Sequence, residues 1–313
     1  MGNSEGDQIG RPVRVVSMGI GRGRNLEEVG ALVETEGAKG ADLIALPEYF
    51  MGHVPEPLEG ATVPFMAELA KKFNTYLLVP IHRVDGEKCY NSAVLIDRNG
   101  DVVHIYNKLF VAAYAEMDPY DPPISPGEKA SVYETDFGRL GLTICFDGLF
   151  PEVWNKLAEE DAEMVLWTSE YSAGICLQAH AINHHYYIVT VNGMPFPQTD
   201  THTKDCTVID ITGEEIFHEE DMEMNISRVT IDLDRGLFHA DHNLEKRDKL
   251  LAERGDDVEM ERWWDREKWF ILKAKRPGVL ARELAREYGL MEMRDYINRS
   301  RREVNEIRGW DFR

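Results

Sequence analysis

Twice along this chain the apolar pattern runs strand, helix, strand, helix, strand and then a hairpin. That repetition restricts the possible folds more than any single motif does. In the first half, Val13 to Ile20 is a β-branched run that reads as a buried strand. Asn25, with Glu28 three residues on, reads as a helix N-cap with its capping box, and Leu26, Val29, Leu32 and Val33 follow at helical spacing. Asp42 to Leu46 is a short strand stopped by Pro47-Glu48-Tyr49, and strand, helix, strand in that order favours parallel pairing through a right-handed crossover. A helix from Ala61 to Phe73 leads to a strand at Tyr76 to His82. A hairpin then pairs Tyr90–Asp97 with Val102–Tyr106 across Asn99-Gly100.

The second half repeats the layout. A strand ending at Cys145 is followed by a helix from Pro151 to Glu159, a strand at Met164 to Trp167, a helix at Gln178 to His185 and a strand at Tyr187 to Val191. A second hairpin, Asp205–Ile211 with Glu214–His218, turns at Thr212-Gly213, and Val229 to Leu233 reads as the last strand. Two similar halves point to an α/β fold with two sheets face to face and helices outside, a four-layer α-β-β-α sandwich; an ordinary doubly wound sheet satisfies the same periodicity. Residues 1–12 are polar and Gly-rich and read as a flexible N-terminus, leaving 13–241 as the main domain. From 242 to 313 the pattern turns to charged, Trp-containing helical segments (Met260–Lys273, Val279–Tyr288, Met291–Arg302) broken at Pro277-Gly278. This helical extension is expected to pack on the domain or on a second subunit.

Charge narrows the partners. With 35 Lys and Arg against 56 Asp and Glu, the formal net charge is −21, which repels nucleic acid and anionic lipid. No apolar window is long enough to cross a bilayer and the N-terminus is no signal peptide, so a cytoplasmic location without membrane or nucleic-acid partners is expected. Cys89, Cys145, Cys176 and Cys206 lack the spacing of a zinc site or a disulfide framework, so no metal is expected. His184 and His185 are adjacent, cannot face one metal from one side of a helix, and read as structural.

Three titratable residues stand just past strand ends: Glu48, Lys108 and Cys145. In α/β sheets ligands bind at the carboxyl ends of strands, so the three can share one mouth. The helix opened by Pro151-Glu152 lies just beyond Cys145, and its N-terminus is expected to lower the thiol's pKa. Singly, each has a plain structural reading: an exposed or capping carboxylate, a surface lysine, a core thiol.

Together they resemble the carbon-nitrogen hydrolase family, or nitrilase superfamily. The resemblance rests on Leu46-Pro47-Glu48, Tyr106-Asn107-Lys108-Leu109, Ser125-Pro126-Gly127-Glu128 and the run Phe137 to Glu152, in family order across Val13 to Leu233. It implies the four-layer sandwich for the domain 13–241, no cofactor, and assembly into homodimers or larger homo-oligomers. The Trp263-Trp264 and Trp269-Phe270 pairs suit a buried subunit contact; the plainer reading is packing within the chain. The resemblance also implies residue roles. Cys145 would be the nucleophile, Glu48 the general base and acid, and Lys108, with the backbone N–H of Phe146, the stabiliser of the oxyanion. Glu116 falls where many members place a second glutamate, with Glu128 as the competing candidate, and Tyr49, Tyr114, Trp167 and Tyr171 are candidate substrate-binding residues.

True nitrilases typically follow the cysteine with Trp-Glu, whereas this chain has Phe146-Asp147, similar to the amide-hydrolysing branches. N-carbamoyl-D-amino acid hydrolases carry substrate-binding arginines where this chain has Gly148 and Leu149. The pattern resembles the aliphatic amidase and formamidase branch, which implies a small neutral amide as substrate and release of ammonia. An N-carbamoyl or ureido-acid amidohydrolase is the alternative, and a catalytically idle scaffold the alternative of another class.

Overall fold

The computed structural model describes residues 8–111, 123–193, 206–216, 220–221 and 225–310. The chain divides into two compact units, Arg14–Val229 and Met1–Val13 with Thr230–Arg313. The larger unit is built on two sheets. The first follows the order β13-β14-β1-β2-β4-β5-β6, where β1 is Pro12–Met18, β2 Leu43–Ala45, β4 Tyr76–Asp85, β5 Lys88–Ile96, β6 Val102–Asn107, β13 Glu220–Asp221 and β14 Ile226–Asp232; β3 (Pro55–Glu56) lies beside β4. β1, β2 and β4 are parallel, with Ile44 opposite Leu77, while β4, β5 and β6 form an antiparallel meander. The second sheet follows the order β12-β11-β10-β9-β8-β7, with β7 Val132–Glu134, β8 Arg139–Ile144, β9 Met164–Ser169, β10 Tyr187–Asn192, β11 Val208–Ile209 and β12 Glu215–Ile216. Its central strands β8, β9 and β10 are parallel.

Helices α1 (Leu26–Gly37) and α2 (Thr62–Phe73) send Val29, Val33, Val63, Met66 and Leu69 into a core with Ile44, Leu46, Leu77 and Val79 of the first sheet. The Asn25 capping box is present: Glu28 N–H donates to Asn25 Oδ1 and Asn25 N–H to Glu28 Oε2, both at 2.9 Å. Helices α3 (Pro151–Glu159) and α4 (Ile175–His184) stack Trp154 on His180 with 4.5 Å between ring centroids. Leu157 of α3 closes on β8 at Gly141, where a Cβ would lie 3.0 Å from its methyl. The Thr168 hydroxyl donates to Leu46 O at 3.0 Å, a bond between the two sheets. The α-β-β-α sandwich expected from the repeated layout is the fold; Glu48 and Cys145 follow parallel strands, one in each sheet, and Lys108 follows β6 of the antiparallel meander.

The smaller unit corrects the expectation of a helical extension in part: helices lie within Val279–Tyr288 and over most of Met291–Arg302, but the first expected helix is absent. Residues Met260–Lys273, read as a helix, form a hairpin of β16 (Val258–Trp264) and β17 (Trp269–Ala274), which joins β15 (Gly236–His239) in a three-stranded antiparallel sheet. Val229–Leu233 is therefore not the last strand. The aromatic and β-branched content of this stretch favours a pleated surface, and Trp263 opposes Phe270 while Trp264 opposes Trp269. Lys268, at φ 57°, makes the left-handed turn. Helices α5 (Leu244–Arg254), α6 (Ala281–Glu287) and α7 (Met293–Arg308) complete the unit, and Leu250, Leu284 and Leu290 share its core with Phe238, Phe270 and Leu272. Trp263 stacks on Phe270 with centroids 6.3 Å apart, so part of the aromatic content packs within this unit. Among the described residues no helix is long and apolar enough to cross a membrane.

Candidate active site

Glu48 follows β2, Lys108 follows β6 and Cys145 follows β8, and the fold brings all three together. Lys108 Nζ lies 2.9 Å from Glu48 Oε1, both side chains being almost fully buried. Asn91 Nδ2 of β5 donates to the same oxygen at 2.6 Å and to the Tyr49 hydroxyl at 3.0 Å. Glu48 Oε2 has no hydrogen-bond partner among the described residues. The thiol is close enough to feel both charges: burial first, then the Glu48 carboxylate, pushes Cys145 up to about 12, while Lys108 and the Ser169 hydroxyl pull it down. This reverses the expectation of a thiol pKa lowered by the helix N-terminus. That helix begins only at Pro151, beyond a 3-10 turn over Cys145–Leu149, and its dipole falls off within a turn. Burial opposes the Lys108 charge, yet Glu48, Cys145 and Asp147 more than offset it and raise the ammonium's pKa.

The backbone at the site is unusual. Cys145 has φ 47° and Tyr49, next to Glu48, has φ 53°, left-handed conformations that cost energy for a residue with a side chain and cluster at functional sites. Cys145 is held there from several sides. Its carbonyl accepts from Trp167 Nε1 at 2.9 Å and from the Tyr171 hydroxyl at 3.5 Å. The Asp147 carboxylate, fully buried, accepts from Tyr106 OH at 2.6 Å, Phe110 N at 2.8 Å and Ile144 N at 3.2 Å, and burial pushes its pKa up to about 6.

Lys108 is fixed through its own backbone. Its N–H donates to Asn91 O at 2.9 Å and its carbonyl accepts from Gly127 N at 2.8 Å. Gly127 explains the Ser125-Pro126-Gly127-Glu128 motif: a Cβ there would lie 2.2 Å from Asn107 O. Gly127→Ala is expected to displace the Lys108 segment, at about 1–3 kcal/mol of stability and a fall in kcat; urea denaturation alongside turnover checks both.

Of the other candidates, Phe146 is half-buried in the turn after Cys145, its ring edge-on to Phe150 at 5.2 Å. Tyr49 is buried with its hydroxyl on Asn91. Trp167 has no exposed surface, so it supports the Cys145 turn from within and lines no open cavity. Glu128 is exposed and its carboxylate is no part of the cluster. Glu116 and Tyr114 lie outside the described residues.

Sequence reasoning missed four contributors. Asn91 sits inside a strand, where nothing in the local pattern distinguishes it. Ser169 ends β9 and Glu170 follows it directly, so the strand-end rule that selected Glu48 applies to them as well. The Glu170 carboxyl is pushed up to about 7, first by burial and then by repulsion from Glu48, with Arg22 and Lys108 pulling it down. Arg22 Nη2 donates to Glu170 Oε1, and the Arg22 guanidinium lies over the Tyr49 ring at 5.7 Å.

The carbon-nitrogen hydrolase family profile matches residues 15–236. The chain belongs to the carbon-nitrogen hydrolase family. Over 206 residues it is 31% identical to the deaminated glutathione amidase of Synechocystis, a match spanning 57% of this chain and 75% of that protein. Among solved structures, Nit3 of Saccharomyces cerevisiae, a member of branch 10 of the nitrilase superfamily, superposes with a TM-score of 0.60 at 21% identity, covering 74% of this chain and 93% of Nit3. An amidase from a Nesterenkonia species gives a TM-score of 0.60 at 20% identity, covering 79% of this chain and 97% of the amidase. At these identities the structural likeness speaks for the carbon-nitrogen hydrolase fold.

Proposed function

We propose that this carbon-nitrogen hydrolase cleaves a small neutral amide through a Cys145 acyl-enzyme and releases ammonia. The observation that carries this reading is the buried Glu48 carboxylate, held on one oxygen by Lys108 and Asn91, with the other oxygen left for the neighbouring thiol. Burial and the Glu48 carboxylate raise the thiol's pKa and favour its protonated form, so its attack needs a base to take the proton. Glu48 takes that proton as sulfur bonds to the carbonyl carbon. Lys108 and the Phe146 N–H stabilise the oxyanion, and Glu48 returns the proton to the departing nitrogen. Water, deprotonated by Glu48, then attacks the thioester; the carboxylic acid leaves and the thiol is restored. Glu116 serves as a second, substrate-positioning carboxylate. No step needs a metal or an organic cofactor.

Gly148 and Leu149 favour an amide over an N-carbamoyl amino acid. Leu149 is exposed and apolar, and a Cβ at Gly148 would lie 3.2 Å from Trp167 Nε1 and 3.5 Å from Tyr171 OH. Neither position offers a cation to a substrate carboxylate. An ammonia-release screen over simple amides, N-carbamoyl amino acids and nitriles tests the reading; faster turnover of an N-carbamoyl amino acid than of any amide would replace it. If nothing is turned over and iodoacetamide fails to label Cys145 preferentially, the chain is an idle scaffold instead. The proposal extends to a cytoplasmic homodimer or larger homo-oligomer, which sedimentation of the purified chain checks.

A further inference from the structure

A second charged pair stands beside Glu48 and Lys108, and the chemistry above has no use for it. Glu170 comes between Ser169, whose hydroxyl influences the Cys145 thiol, and Tyr171, whose hydroxyl reaches the Cys145 carbonyl. Its side chain is only 17% exposed and is bound by Arg22, whose side chain is 32% exposed. Contacts run unbroken from the catalytic carboxylate to this pair. Glu48 binds Asn91, Asn91 binds the Tyr49 hydroxyl, Arg22 lies over the Tyr49 ring, and Arg22 holds Glu170. Glu170 is also near enough to Glu48 and Lys108 to sense both charges. A carboxylate drawn this far out of water is costly, and packing the fold does not require one at a strand end that opens on a catalytic centre.

We infer that Arg22 and Glu170 form a specificity-determining pair that balances the charge of the acyl pocket and selects substrates whose acyl group carries no net charge. Glu48 is paired with Lys108 and Glu170 with Arg22, so each of these four charges already has its partner, and the nearby Asp147 carboxylate is taken up by Tyr106, Phe110 and Ile144. A substrate bringing its own ammonium or carboxylate into such a pocket is left uncompensated and pays its desolvation in full. A neutral amide does not. The pair thus supplies a physical basis for neutral-amide preference that the absence of arginines at Gly148 and Leu149 alone does not, since those positions bear only on carboxylates.

This inference rests on Cys145 being the nucleophile of an amide hydrolase, yet it is testable without turnover. The probes are iodoacetamide, iodoacetate and 2-bromoethylamine, which are neutral, anionic and cationic alkylating agents. Rates are read at the Cys145 peptide by mass spectrometry, so that labelling of the exposed Cys176 does not intrude. At pH 8.5, and relative to the same reagents on glutathione, the parent protein is expected to disfavour both charged reagents. Glu170→Gln leaves the Arg22 cation without its partner and should raise the iodoacetate-to-iodoacetamide ratio about tenfold or more while lowering that of 2-bromoethylamine. Arg22→Gln should do the reverse, and the double variant should return both ratios to the parent values. Arg22 sits on an exposed loop, so its substitution tests the inference whether or not buried Glu170 tolerates exchange. Ratios within threefold of the parent for Arg22→Gln, or a shift of the same sign in both single variants, would overturn it. Loss of amide turnover in the parent, with these ratios behaving as expected, would instead sink only the hydrolase reading.

Discussion

Cys145→Ala is expected to abolish ammonia release, lowering kcat by a factor on the order of 10⁴ or more, while leaving the fold intact. The size of the effect follows from the role: without the sulfur no acyl-enzyme forms, and the remaining groups can only polarise a bound amide toward water. Alanine tolerates the left-handed backbone at this position no worse than cysteine does, and the turn keeps its bonds from Trp167 and Asp147, which act on backbone atoms. A thermal midpoint near that of the parent should therefore accompany the loss. Mass spectrometry after mixing with a slow amide provides the second measurement, with an acyl adduct on the parent and none on the variant. Substantial activity in Cys145→Ala would place the nucleophile elsewhere.

The second large effect is expected at Lys108, and it should appear in two measurements at once. Lys108→Met removes the cation aimed at the developing oxyanion, which is worth about 10²–10³ in kcat. It also leaves the Glu48 carboxylate buried with Asn91 as its remaining described donor, which costs about 3–5 kcal/mol of stability. Glu48→Gln separates the two consequences. It removes the base, with about 10²–10⁴ lost in kcat, and it leaves a lysine without its counter-charge. Combining the changes removes both buried ions, so the double variant should recover much of the stability in urea denaturation while staying inactive. If Lys108→Met stayed within tenfold of the parent in kcat, its place in the chemistry would be lost.

Much of this molecule was legible in the amino-acid order because local physics and tertiary packing agree there. The Asn25 capping box, the Pro151 start of α3 and the repeated apolar runs each encode an element by themselves, and their order encodes the sandwich. Glu48, Lys108 and Cys145 were legible for a different reason, namely that strand ends open on the site. Asn91, Ser169, Glu170 and Arg22 were hidden because they meet only through tertiary structure, Arg22 and Glu170 across 148 positions of chain. The hairpin at Val258–Ala274 was misread because aromatic residues spaced along a charged stretch satisfy a helical period as well as a strand pairing. There the cross-strand partners, invisible locally, decided the outcome. The helix dipole alone points to a lowered thiol pKa; burial of Cys145 first, and then the Glu48 carboxylate that the fold sets beside it, raise it instead.

Asp147 stands two residues after Cys145, in the stretch that bears on substrate type. Its three bonds give it another significance. Tyr106 and Phe110 bracket Lys108 in the chain, Ile144 precedes Cys145, and one carboxylate grips all three. Cys145 and Lys108 come from different sheets, yet their spacing is gauged by a single side chain, much as one rivet aligns two plates. An exchange at Asp147 would therefore not weaken either group by itself; it would let the two drift out of alignment with each other.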